Sequence, residues 1–137
     1  MTISNAVQPC RILLADSSEC LTEQLGAMLA PSQCELVAVR DGFDVLCRLP
    51  GIQPDLLLIS SELPRLSGWQ VCALLRQSPD FRHLPVVMML NNNSAIDKTR
   101  ATLAGASDCL AKPFRRSELE AVLLRLVSHN KPLTAVA

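Results

Sequence analysis

The stretch PDLLLISSELPRLSG, residues 54–68, sets the architecture of the chain. Its core, DLLLIS at 55–60, is a continuous apolar run, as expected of a parallel strand covered by helices on both faces. It ends on a hydroxyl pair, Ser60-Ser61, before a proline- and glycine-marked loop. On either side, RILLA at 11–15 stops at Asp16, CELVAV at 34–39 suits a second strand, and Pro85 precedes VVMML at 86–90. A fifth run, SDCLA at 107–111, leads into Lys112-Pro113.

Helical spacing fills the gaps. Leu21, Leu25, Met28 and Leu29 fall on one face, and Pro31-Ser32-Gln33 breaks that helix. Asp41-Gly42 opens a short helix expected to end before Pro50-Gly51, and a third spans about 67–77. Ser94 with Asp97 caps a fourth, which stops at Ala104-Gly105. In the last, Ser117 and Glu120 read as a capping box, with Leu119, Val122, Leu123, Leu126 and Val127 on one side. Five strand-helix pairs with short connections predict an α/β fold: a flavodoxin-like, doubly wound parallel sheet in the order 2-1-3-4-5. The expected organisation is a lead-in at 1–9, one domain at 10–128 and a flexible tail, HNKPLTAVA, at 129–137.

The chain has 137 residues, of which 49% are hydrophobic, enough for one cored domain. Lys plus Arg and Asp plus Glu number 13 each, so no net field attracts nucleic acid or anionic lipid, and neither is expected as a partner. The start, MTISNAVQPC, lacks the basic and apolar regions of a leader, and no apolar stretch is long enough to span a bilayer. The expected location is the cytoplasm, without membrane insertion. Six cysteines, at 10, 20, 34, 47, 72 and 109, are scattered without metal-ligand spacing and read as reduced, mostly buried small hydrophobes. Cys10, in the polar lead-in, is the candidate for an exposed redox-active thiol.

In open sheets of this kind ligands bind beyond the carboxyl ends of the strands. The residues there are Asp16 and Ser17, Ser60 to Glu62, Leu90 and Asn91, and Lys112.

The ordered set ILLADSS, DGFDVL, PDLLLISSELPRLSG, PVVMML, AGASDCLAKPF and a final amphipathic helix resembles the receiver domain of two-component response regulators, over about residues 10–128. PRLSGWQVCALLR and the IDK at 96–98 look most like stand-alone receivers of type IV pilus and twitching-motility chemosensory systems. In that family an aspartate ending strand three accepts a phosphoryl group, and two acidic residues after strand one hold Mg²⁺. A Ser or Thr ends strand four, and a lysine ends strand five. The resemblance places Ser60 on the phosphoacceptor position, Asp16-Ser17 on the acidic pair, Leu90 on the strand-four hydroxyl and Cys109 on the aromatic switch position of strand five. Asp16, Lys112 and Pro113 match the family's pattern.

A serine hydroxyl is nearly unionised at neutral pH and needs a base; the two histidines, His83 and His129, lie elsewhere in the sequence. The expectation is therefore an atypical receiver that takes no phosphoryl group and works by phosphorylation-independent protein-protein contact, in bacterial signal transduction of the pilus or motility kind. Its partner would be another signalling protein, met on the face of helix four, strand five and helix five that presents Asp97, Lys98, Arg100, Arg115, Arg116 and Glu118. No cofactor is expected, since Asp16 is read as pairing with Lys112; weak Mg²⁺ binding by Asp16 and Glu62 is the alternative. A further alternative is a switch triggered by phosphorylation of Ser60 or Ser61, against which stands the simpler reading that both serines only cap the strand end. Trp69 reads as core, and Arg115-Arg116 equally as a solvated helix start. No glycine-rich loop follows strand one and no base-nucleophile pair is evident, so an enzyme or flavin protein on this fold is not expected. The oligomeric state, a dimer included, stays open.

Overall fold

The computed structural model describes residues 10–31 and 34–130. Five strands, β1 (Cys10–Ala15), β2 (Cys34–Val39), β3 (Leu56–Ser60), β4 (Val86–Leu90) and β5 (Asp108–Ala111), alternate with five helices. These are α1 (Glu19–Leu29), α2 (Gly42–Ile52), α3 (Gly68–Arg76), α4 (Ala95–Ala104) and α5 (Arg116–Asn130). The sheet is wholly parallel, in the expected order β2-β1-β3-β4-β5.

Strand alternation sorts the apolar side chains into two cores. Leu13, Leu57, Ile59, Val86, Met88 and Leu90 face α2, α3 and α4. Ile12, Leu14, Leu56, Leu58, Val87 and Met89 face α1 and α5. Every residue of β3 and β4 is buried, which is why their sequences are apolar without alternation.

Helix ends obey local chemistry. Ser18, Asp41, Ser67 and Ser94 each accept a backbone N–H of the first turn of α1, α2, α3 and α4. The Asp44 N–H, and after it the Arg65 guanidinium, hold the Asp41 carboxyl below its ordinary range. Two boundaries differ from expectation. Helix α2 runs through Pro50 to Ile52, because the proline sits in the last turns, where one missing donor is tolerated, and Gln53 closes the helix in a left-handed conformation, its N–H donating to Leu49. The last helix starts at Arg116, so Ser117 lies inside it; Glu118 instead accepts the Arg115 N–H at 2.8 Å. The full capping box belongs to Ser67 and Gln70 on α3. The expected lead-in at 1–9 and the tail from 131 onward lie outside the described residues.

The cysteines also depart from expectation. Cys10 and Cys72 are buried, Cys34 and Cys109 half-buried, and Cys20 and Cys47 exposed. Cys10 heads β1 and is covered by the α1 and α5 layer, so the polar lead-in before it is a poor guide to its exposure. Burial pushes the Cys72 thiol above its ordinary range.

One cation ties the far end of the sheet together. The Arg76 guanidinium donates to the carbonyls of Gly105 and Leu84, each at 2.7 Å, and of Arg82 at 3.0 Å, joining the end of α3 to the 78–84 loop and the α4–β5 turn. These charge-assisted bonds are lost together in Arg76→Ala, which should lower unfolding stability by about 2 kcal/mol, measured by denaturant titration. Arg76→Lys should recover only part, since an ammonium lacks the planar fork.

Candidate functional site

Because the strands are parallel, Asp16, Ser60, Leu90 and Lys112 arrive at one edge of the sheet. Among the described residues the buried polar or charged ones are Asp16, Ser60 and Ser61, and all three stand here. The adjoining backbone is tied down by sheet bonds: Asp16 N–H donates to Val39, Ser61 N–H to Met89 and Lys112 N–H to Leu90.

The cluster is built around one ammonium. Lys112 Nζ donates to Asp16 Oδ2 at 2.7 Å and to Ser60 Oγ at 3.2 Å. Asp16 Oδ1 accepts the Ser18 N–H at 2.8 Å, so both carboxylate oxygens are engaged. The Asp16 side chain is 3% exposed and that of Lys112 23%. At an effective dielectric of about 20 a pair this close attracts by on the order of 6 kcal/mol. Desolvating each ion costs several, so the intact pair roughly breaks even and a lone Asp16 carboxylate would be strongly unfavourable.

The β3–α3 loop closes over the strand tip. Gly68 N–H donates to the Ser61 carbonyl at 3.0 Å, and a Cβ at position 68 would collide with the Ser60 carbonyl oxygen. Ser60 and Ser61 are each 2% exposed beneath it. Arg65, in a left-handed conformation on this loop, pairs with Asp41 at 3.0 Å and lies over the Phe43 ring.

The remaining expected residues divide. Ser17 is exposed, and its carbonyl, not its hydroxyl, accepts from Arg40 at 3.0 Å. Glu62 is exposed. Leu90 is fully buried among Trp69, Met88 and Ala101, with half-buried Cys109 packed against them. Pro113 is exposed and follows a cis peptide bond. His83 is exposed in the loop before β4.

On the α4, β5 and α5 side, Lys98, Arg100, Arg115, Arg116 and Glu118 are exposed and Asp97 is half-buried at the α4 cap. Arg116 pairs with Glu120 at 3.3 Å. Arg100 lies 4.3 Å from the centroid of the Trp69 ring, so Trp69 is both core and platform for a cation. Sequence reasoning missed the apolar part of this face: Ile96 is 79% and Leu103 82% exposed, either side of Arg100 on α4. The available signal was that α4 offers the core only alanines, and of its residues Ala101 alone is buried.

Lys112→Met should leave Asp16 buried without its countercharge and lower stability by about 3 kcal/mol at neutral pH, measured by denaturant titration. Adding Asp16→Asn should recover part of that loss, because a neutral amide needs no countercharge.

The sequence matches the response regulator receiver domain family over residues 12–124. It is 28% identical over 127 residues to protein PilG of Pseudomonas aeruginosa, a match covering 93% of this chain and 94% of PilG. Response regulator MprA of Mycobacterium avium is 32% identical over 122 residues, and the match spans 89% of this chain but 53% of MprA, about half its length. The crystal structure of the receiver domain of sensor histidine kinase PA1611 from Pseudomonas aeruginosa superposes with a TM-score of 0.80 at 27% identity, covering 88% of this chain and 99% of that one; it carries a magnesium ion in its active-site cleft. With the family match, the 2-1-3-4-5 sheet and the Asp16–Lys112 pair at its edge, the chain belongs to the response regulator receiver domain family, the module of bacterial two-component signalling.

Proposed function

We propose that this receiver domain signals without accepting a phosphoryl group, by contact with another signalling protein. The observation that carries the reading is Ser60: a buried hydroxyl ends β3, and its oxygen accepts from the Lys112 ammonium. An ammonium is an acid, so this bond draws electron density off the oxygen that would have to attack phosphorus. A serine nucleophile needs an adjacent base to take its proton. Asp16, the carboxylate at this edge, is committed to Lys112 and to the Ser18 N–H.

The donor set does not fit Mg²⁺ either. The ion takes hard oxygen ligands in near-octahedral geometry and favours carboxylates. Here Ser17 offers a neutral hydroxyl, Glu62 lies out in solvent, and Asp16 would have to release Lys112. Leu90, fully buried, fills the end of β4 with a side chain that can donate nothing to a phosphoryl oxygen. Kinase-driven switching at Ser60 or Ser61 is disfavoured by their burial under the β3–α3 loop.

The partner surface is the face of α4, β5 and α5, where Arg100 lies beside exposed Ile96 and Leu103 on α4, and Arg115 and Arg116 are exposed at the start of α5. An apolar patch rimmed by charge is the usual make-up of a protein-protein contact. The pathway is of the pilus or motility kind. That placement is supported by the resemblance to stand-alone pilus receivers and by the full-length similarity to PilG. No helix among the described residues is long and apolar enough to cross a membrane.

Incubated with Mg²⁺ and acetyl phosphate, the protein should gain no phosphoryl mass in intact-mass spectra; a stoichiometric adduct would refute the reading. Replacing Arg100 and Arg116 together by alanine should weaken capture of the cognate signalling protein by about tenfold or more. Unchanged capture would move the contact to another face.

A further inference from the structure

We infer that Cys10 and Cys34 form a dithiol that a hydroperoxide oxidises to a reversible cross-strand disulfide. The two are register partners on adjacent parallel strands, each the first residue of its strand. Neighbouring strands run about 4.8 Å apart, inside the roughly 4.4–6.8 Å between Cα atoms that a disulfide spans. Their side chains leave the sheet on the same side: Cys10 is buried with Ile12 and Leu14 in the layer under α1 and α5, and Cys34 packs against that layer with Leu36.

A route in exists. Both cysteines line an apolar groove of about 550 Å³ between α1 and α5, walled by Met28, Leu29, Leu123 and Val127. Cys34 is half-buried and Cys10 buried, which assigns first attack to Cys34 and resolution to Cys10. The Cys34 thiolate attacks one peroxide oxygen, breaking the O–O bond and giving a sulfenic acid and hydroxide, which is protonated to water. The Cys10 thiol then attacks that sulfur, the S–S bond forms, and the sulfenic oxygen leaves as a second water. Two thiols and one hydrogen peroxide give one disulfide and two waters, and a small dithiol reverses the change. The other cysteines lack such a cross-strand partner in the sheet register: Cys20, Cys47 and Cys72 lie on helices, and Cys109 faces Met88. Bridging the floor of the groove would be felt by α5, whose Leu123 and Val127 form its wall.

The test is hydrogen peroxide treatment of the full chain with Cys20→Ser and Cys47→Ser, followed by non-reducing peptide mapping. The expected product is a peptide pair joined through Cys10 and Cys34, two hydrogens lighter, restored by dithiothreitol and absent in the added Cys34→Ser variant. Amide shifts of Leu123 and Val127 should move with it. Sulfinic acid accumulating on Cys34 while Cys10 stays a thiol would overturn the inference, as would both cysteines remaining unoxidised. Differential alkylation of the unsubstituted chain reads the same pairing should a variant fold poorly.

Discussion

Asp16 is a carboxylate taken out of water, and it must be neutralised from within the protein. Lys112 does this from the opposite end of the chain, and the sheet order makes it possible. β1 and β3 lie side by side, β4 and β5 complete the edge, and parallel pairing brings their carboxyl ends to one place. The Asp16–Lys112 pair contributes little net energy in itself, but each partner makes loss of the other costly. Ser60 then has its position chosen for it, as the third group within reach of the ammonium.

A receiver site with an aspartate at the β3 tip would gather negative charge that calls for a cation. Here the charge at the tip is one carboxylate against one ammonium, so the resting edge is balanced. The neighbouring substitution reinforces this. Leu90 turns the end of β4 into part of the apolar layer with Trp69 and Ala101, where burying a leucine side chain is favourable by about 2 kcal/mol. Ser60 and Leu90 are thereby consistent with the proposed receiver that takes no phosphoryl group. On the face of α4, β5 and α5, Arg100 lies over Trp69 and joins α4 to α3.

The strands and their order were legible because burial on both faces leaves unbroken apolar runs, and because the crossover rule restricts how such strands connect. The Asp16–Lys112 pair was legible for the same reason, since topology alone brings the two together. Details set by competition between local and tertiary terms were not. Pro50 reads as a helix stop, yet buried Leu49 and half-buried Ile52 carry α2 past it. Ser117 looks like a cap, but Arg115 and Glu118 begin the helix earlier. Cys10 follows polar residues and is nevertheless roofed by two helices. The Arg76 fork was invisible because its acceptors are carbonyls of a loop whose path no side-chain pattern announces.

Whether this edge of the sheet is closed to phosphoryl chemistry is decided by amide chemical-shift mapping with Mg²⁺ and the phosphoryl mimic beryllofluoride. Resonances of Asp16, Ser60 and Lys112 are expected to stay in place, and α4 and α5 to show no response. Movement of those three at sub-millimolar Mg²⁺, with α4 or α5 shifting on addition of the mimic, would show a working ion and phosphoryl site and contradict a receiver that signals without phosphorylation.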